Sequence, residues 1–280
     1  MNQLKAEYQV EALAQALEVS PSGFYAHQHK PGRARARQDQ KLAQQLQPVF
    51  QASRGTYGSP RLTAALRHAG ERCGKNRIAR LMRQKHLRAR QKRRFVPRTT
   101  QSQHDHPIAP NRLATVPPPT RPDQVWVVDI TFIATGEGWI YLAVVLDACS
   151  RKVVGWALQA SLETSLVTEA LERAQKARRP RPGLLHHSDR GIQYASNAYR
   201  ALLAQYQITP SMSRPANPYD NAIAESFMAT LKTECFDHPP ATRADAKLKV
   251  FDYLETFYNP RRLHSALGYQ SPVEFEKQFV

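Results

Sequence analysis

Three apolar runs separated by short breaks constrain this chain most. Gln124 to Ile133, Trp139 to Ala148 and Lys152 to Gln159 follow one another, with Gly136-Glu137-Gly138 between the first two. Their Val, Ile, Trp and Tyr content and short turns predict an antiparallel meander. After them the pattern changes. Thr164 to Ala177 has helical periodicity, with Leu166, Ala170, Leu171 and Ala174 as its apolar side. A short strand over Gly183 to His187, a helix over 196–206 and a strand over Gln207 to Pro210 follow. Further helices are expected over Asn221 to Glu234 and from about Arg243 to Tyr258.

Three antiparallel strands followed by alternating helices and strands predict an α/β fold: a mixed five-stranded sheet with flanking helices. That order fits a ribonuclease-H-like domain over 123–280, ending in a helical tail.

The region before it differs in charge. The chain carries a formal charge of +17. Residues 1–120 hold 22 Lys/Arg against 6 Asp/Glu, whereas residues 121–280 hold 18 against 17. A front half that attracts anions points to nucleic acid. A membrane surface would ask for a long basic amphipathic helix, and Pro and Gly interrupt this stretch too often for that. No apolar run reaches the ~18 residues a membrane helix needs. Cys73, Cys149 and Cys235 are widely spaced and form no disulfide framework. A reduced, cytoplasmic setting is expected, with nucleoid association when bound to DNA.

Residues 1–96 read as a basic, all-helical DNA-binding region. A helix over 3–18, with Leu4, Tyr8, Ala12, Leu13, Ala16 and Leu17 as its apolar side, precedes VSPSGFYAH, where Ser20 can cap a second short helix. This pair over 3–30 fits a helix-turn-helix outline and an ordinary helical pair equally well. Helices over 38–50, Ser59 to His68 and Lys75 to Lys85 follow, the last with Ile78, Leu81 and Met82 facing inward. Residues 51–98 contain 15 Lys/Arg and a single acid, Glu71. Counterion release on a phosphate backbone would relieve that repulsion. Lys75, Arg77, Arg80, Arg83, Lys85, Arg88, Arg90, Lys92, Arg93 and Arg94 are therefore candidate DNA contacts. Seven prolines between Pro97 and Pro122 predict an extended linker over 97–122 that separates this front from the sheet domain.

Three acids carry the chemical signal. Asp129 interrupts the apolar strand WVVDITF and shares a face with Val125, Val127 and Thr131. A charge there is expensive without a partner. Asp189 ends the fourth strand in LLHHSDRG, and Glu225 lies one turn into NAIAESFMATLK. If the sheet folds as read, the two strand ends and the helix can converge. Three carboxylates together would repel, and hard oxygen ligands suit Mg²⁺ or Mn²⁺. Asp147 and Asp220 are the rival acids. Asp147 is expected to cap the turn toward Ser150, and Asp220 to cap the helix of Glu225. No zinc-finger spacing and no Walker A pattern are present.

At this point the motifs GWIYLAVVLDACSRKVVGWAL, HHSDRGIQYAS, SMSRPANPYDNAIAESFMATLKTE and FYNPRRLHSALGYQSPVEFE, with 35 residues between Asp189 and Glu225, identify a family. The chain resembles the second-frame (OrfB) protein of insertion-sequence-3-type bacterial transposases, within the DDE transposase and retroviral integrase superfamily. The likeness is strong over 51–280 and looser before that. YGSPRLTAALRHAG with NRIARLMRQKHLRA matches the family's basic helical segment.

The resemblance implies a catalytic and metal-binding triad of Asp129, Asp189 and Glu225. It implies two Mg²⁺ ions per site, with Mn²⁺ substituting, and phosphoryl transfer on double-stranded DNA. It further implies terminal-repeat and target DNA as partners, an upstream-frame product or frameshift fusion, and a homo-oligomer on DNA. One departure stands out. Pro215 and Ala216 precede Asn217 where relatives commonly have Lys-Gly, which bears on the loop before Glu225.

His187 and Lys232 are secondary DNA candidates, Lys232 two turns beyond Glu225 on the same helix side. Arg261 and Arg262 in the tail motif with Tyr258, Asn259 and His264 are either DNA contacts or pins that hold the last helix to the core. The competing functional readings are a non-catalytic DNA-binding regulator and a ribonuclease-H-type structure-specific nuclease.

Overall fold

A computed structural model of the chain describes residues 4, 8–28, 32–90, 106–214 and 218–279. The front contains five helices: α1 (Val10–Ala16), α2 (Pro21–Gln28), α3 (Gly32–Ala52), α4 (Ser59–His68) and α5 (Lys75–Gln84). The expected first helix is shorter than its periodicity suggests. Val10, Leu13 and Ala14 are buried, while Leu4, Tyr8 and Leu17 stay exposed. The reason is local: α1 packs mainly on α2 and meets no larger apolar surface. The cap at Ser20 forms as read, its Oγ accepting the Gly23 N–H at 2.9 Å. α4 and α5 keep their expected starts, and Ile78, Leu81 and Met82 are buried.

The sheet is formed by β1 (Val125–Thr135), β2 (Gly138–Asp147), β3 (Val153–Gln159), β4 (Leu185–Ser188) and β5 (Thr209–Met212), in the order β3-β2-β1-β4-β5. β1 pairs antiparallel with β2, and β2 with β3; β1 and β4 are parallel, as are β4 and β5. This is the mixed five-stranded arrangement of the ribonuclease-H-like fold, preceded by an all-helical region. α6 (Thr164–Arg178), α7 (Ile192–Ala195) and α8 (Asn197–Gln205) flank one face, where Trp126, Val128, Leu166 and Leu171 are fully buried. Each large side chain buried there contributes roughly 1.5–3 kcal/mol. β3 and α6 approach so closely that a Cβ on Gly155 would lie 2.3 Å from the Ala170 carbonyl oxygen.

The other face carries α9 (Ala222–Glu234), α10 (Arg243–Phe251) and a π-helical segment over Asp252–Tyr258. The last helix was expected to run straight to Tyr258. It widens after Phe251 instead, with Tyr253, Leu254, Phe257 and Tyr258 all buried. A short α11 (Pro272–Glu276) closes the chain.

The basic front does not stand apart from this domain. Leu42, Leu46, Leu62, Leu66 and Ile78 belong to one apolar cluster with Phe227, Tyr253 and Phe257. Arg54 pairs with Asp252 at 2.8 Å and lies over the Phe257 ring. Tyr57 Oη accepts the Leu263 N–H at 2.7 Å, and Arg61 Nε donates to the Leu263 carbonyl at 3.0 Å. The stretch expected as a linker over 97–122 also touches the sheet domain where it is described. Arg112 and Leu113 N–H groups donate to Ser211 Oγ, and Asn111 Nδ2 donates to Asp220. Its described part is thus bonded to the sheet domain, because backbone donors find protein acceptors there.

The tail is pinned rather than free. Tyr258 Oη donates to the Arg151 carbonyl, and Asn259 makes two bonds to the Val153 backbone, each at 3.0 Å. Arg262 is 3% exposed and forks onto Glu234, whose Oε2 also accepts from Tyr253 Oη. Arg262→Met should therefore cost about 3–5 kcal/mol in urea unfolding, because it strands a buried carboxylate. The double variant with Glu234→Leu should recover most of that loss.

Candidate active site

β1 is the middle strand, and its alternation sets the site. Val125 and Val127 face α9 and α10, while Trp126 and Val128 face α6 and α8. Asp129 continues the first set. In the parallel pairing, Val127 stands beside His187. Asp189 follows directly after β4, which ends at Ser188, and its charge is felt at Asp129 on the neighbouring strand. Asp189 Oδ1 accepts the Gly191 N–H at 2.9 Å, and Asp129 Oδ1 accepts the Ile130 N–H at 2.8 Å.

The third acid arrives on α9. Ala224, Phe227, Met228 and Leu231 bury one side of that helix and leave Glu225 exposed. Asn221, at the N-cap position, is buried and donates from Nδ2 to the Val128 carbonyl at 3.1 Å. That bond ties the start of α9 to the residue preceding Asp129, so Glu225 sits one turn from the brace.

Electrostatics record the proximity. Burial, with the charges of Asp189 and Glu225 adding to it, pushes the Asp129 carboxyl up to about 8. Lys232 acts in the opposite direction on Asp129. Burial lowers the pKa of Lys232 itself, and Asp129 partly offsets that. Burial also raises Glu225. The acids are neighbours, yet among the described residues no three His, Cys, Asp or Glu side chains stand close enough to hold a metal together.

The rival acids have other work. Asp147 is fully buried and accepts from the N–H groups of Asp123, Cys149 and Ser150 and from Ser150 Oγ, so it caps its turn as expected. Asp220 does not cap α9. It binds Asn111 and both the backbone and guanidinium of Arg214, which hold its carboxyl at about 2.

Several secondary candidates are corrected. His187 is fully buried between Ser211 Oγ at 2.9 Å and Ser213 Oγ at 3.0 Å, and burial lowers its pKa to about 4. It is a neutral link between β4 and the end of β5, out of reach of DNA. Its contact with β5 was invisible without the strand pairing. Arg262 is a core residue, as described above, while Arg261 is exposed. Arg77 and Arg80 both bind Asp39, and Arg90 pairs with Asp237 at 2.8 Å. Lys75, Arg83, Lys85 and Arg88 are exposed. Lys92, Arg93, Arg94 and the Pro215-Ala216 departure lie outside the described residues.

Comparison with known proteins bears on the whole chain. An integrase core domain family matches residues 119–218, a second integrase core domain family matches 206–272, and an HTH-like domain family matches 37–95. The chain is 36% identical to the transposase InsF of insertion sequence IS3A from Escherichia coli K12, covering 98% of this chain and 96% of that one. It is 39% identical to the transposase of insertion element IS904 from Lactococcus lactis, over 84% and 93% of the two chains. This chain belongs to the OrfB-type transposases of the insertion-sequence-3 family. An uncharacterized 31 kDa protein of insertion element IS600 from Shigella sonnei is 41% identical over 95% of this chain and 98% of its own length.

As an OrfB-type transposase, the chain falls in the DDE and integrase superfamily of polynucleotidyl transferases. Integrase core domains generally work with divalent cations, and an all-oxygen donor set of three carboxylates fits that requirement. The HTH-like match falls on α3–α5 and not on the α1–α2 pair. No helix among the described residues is long and apolar enough to cross a membrane.

The raised Asp129 carboxyl gives this transposase a pH signature. The folded protein holds a proton that the unfolded chain releases near pH 4, so stability falls as pH rises from about 4 to 8, on the order of 1 kcal/mol per pH unit from this group. Thermal melts without divalent cation should show Asp129→Asn flattening that dependence and exceeding wild type at pH 8. Added Mn²⁺ should stabilise wild type at pH 8 and leave the variant unchanged.

Proposed function

We propose that this chain cuts and joins DNA strands at the ends of its insertion sequence, with Asp129, Asp189 and Glu225 as the catalytic acids. One observation supports this above the others. Asp129 on β1 feels the charges of Asp189, after β4, and of Glu225, on α9, and it has no Lys or Arg ion pair among the described residues. An enzyme that draws Mg²⁺ or Mn²⁺ to DNA needs a carboxylate in that condition. Asp129, Asp189 and Glu225 would together hold the cations. When bound, such ions supply Lewis acidity at the attacking and leaving oxygens of a phosphodiester.

The chain's own groups do the rest. Asn221 keeps α9, and so Glu225, fixed against β1. The Gly191 N–H holds the Asp189 carboxylate in one orientation. Lys232, whose charge is felt at Asp129, is suited to a DNA phosphate beside the acids. In-line attack by water would nick the strand, and attack by the freed 3′-hydroxyl would join it to target DNA. No nucleophilic side chain is needed. The exposed cations Lys75, Arg83, Lys85, Arg88 and Arg261 would contact the DNA backbone. Double-stranded terminal repeats and target DNA are the partners on this reading. Pairing two ends asks for at least a dimer, and a fusion to the upstream-frame product would extend the DNA contacts.

Mn²⁺-dependent nicking and strand joining on DNA carrying the element ends tests the reading, with wild type compared to Asp189→Asn. Loss of groups that only orient a metal ligand costs about 10–100-fold. Loss of a ligand should lower both reactions by more than about 100-fold, with DNA affinity retained. Equal activity in the two proteins would refute the assignment. Cleavage without joining would favour a structure-specific nuclease, and binding without either reaction a regulator.

A further inference from the structure

The tail loop after the π-helical segment contains a conformation that its sequence should resist. Gly268 and Tyr269 both have φ of +62°. Glycine adopts that region freely, but a bulky aromatic residue does so at a cost. Backbone bonds hold the loop closed, among them the Tyr269 N–H donating to the His264 carbonyl at 2.8 Å and the His264 N–H donating to the Gln270 carbonyl at 3.0 Å. Glycine at 269 would give the same turn without strain. A strained side chain kept at such a place points to a use for it.

Tyr269 lines an open groove of about 420 Å³ between this loop and α4. Pro60 and Ala64 are apolar lining groups, and Arg67, His68 and Lys75 bring basic groups to it. None of the lining residues is acidic. Arg67, His68 and Lys75 are exposed, and none has an acidic partner among the described residues. This sets them apart from Arg54, Arg77, Arg80 and Arg90, whose charges are spent on Asp252, Asp39 and Asp237. An aromatic ring beside uncompensated cations is the chemistry of single-stranded nucleic acid binding: bases stack, and cations follow the phosphates. The volume lies within the ~300–1,000 Å³ of small-ligand sites and has room for a nucleotide. An unpaired base alone can offer its π-face to the ring.

We propose that the groove between α4 and the 264–270 loop binds an unpaired stretch of DNA, with a base on Tyr269 and phosphates on Arg67, His68 and Lys75. It rests on the reading that this chain acts on DNA ends, and it gives the tail motif a second task besides pinning the core. The site combines residues of the HTH-like region with residues of the tail, so it exists only when the two are docked.

The test uses the full chain and two DNAs, a blunt duplex and the same duplex with a three-nucleotide 3′ overhang carrying 2-aminopurine. Wild type should bind the overhang about tenfold more tightly than the blunt end and quench the probe, the size expected for stacking of one base. Tyr269→Phe should keep both effects. Tyr269→Gly should lose both while melting at the same temperature or higher, since it removes the backbone strain. A structural role alone would not part binding from stability in that way. If wild type binds both DNAs equally, or Tyr269→Gly keeps the preference, the groove inference fails and the DNA-end reading stands. If the chain binds neither DNA, both fail.

Discussion

A carboxylate in the central strand of a five-stranded sheet is held there against two costs: burial, and the nearby charges of Asp189 and Glu225. The surrounding structure is arranged around that tension. β1 and β4 run parallel, so Asp189, directly after β4, lies toward the same end of the sheet as Asp129. The bond from Asn221 to the Val128 carbonyl sets where α9 begins. Burial of Phe227, Met228 and Leu231 then sets its rotation, which leaves Glu225 on the open side. Each placement follows from packing or backbone bonding, and the charge conflict is what remains for a cation to resolve.

The buried acids elsewhere have found partners. Asp147 is wrapped by three backbone N–H groups and Ser150. Glu276 binds Lys152, Ser150 and Arg178, and Arg178 also grips Asp123. That cluster joins α6 and α11 to the starting end of β1, while the Glu234–Arg262 pair joins α9 to the tail. Buried pairs of this kind add little net stability, but losing one partner is costly. They fix how the tail lies, and the tail in turn receives Arg54, Tyr57 and Arg61 from the helical front. The front is thereby coupled to the same helix that carries Glu225.

Local signals were legible from sequence. Ser59-Pro60 started α4 where expected, α5 began at Lys75 as its periodicity indicated, and β1 keeps the alternation that puts Val125 and Val127 on one face and Trp126 and Val128 on the other. The two strand ends and the helix of the candidate site could be read from motif positions. What escaped was decided by contacts distant in sequence. His187 looks like a site residue until β5 places Ser211 and Ser213 around it. Arg262 could be read as a DNA contact or as a pin for the last helix, and Glu234, 28 residues away, decides for the pin by taking it into the core. The prolines of 107–122 read as a spacer, since nothing local reveals that Ser211 and Asp220 accept their neighbours' bonds. The widening after Phe251 likewise depends on aromatic packing that periodicity does not encode.

The central claim is that Asp129, Asp189 and Glu225 form one cation site once DNA is present. Anomalous diffraction from crystals of the chain grown with end-sequence DNA and Mn²⁺ addresses it most directly. The account predicts manganese peaks bounded by the carboxylates of Asp129, Asp189 and Glu225, with Asp129 common to both ions. Ordered manganese elsewhere, such as at Asp147 and Glu276, or none at these three acids with DNA in place, would contradict it.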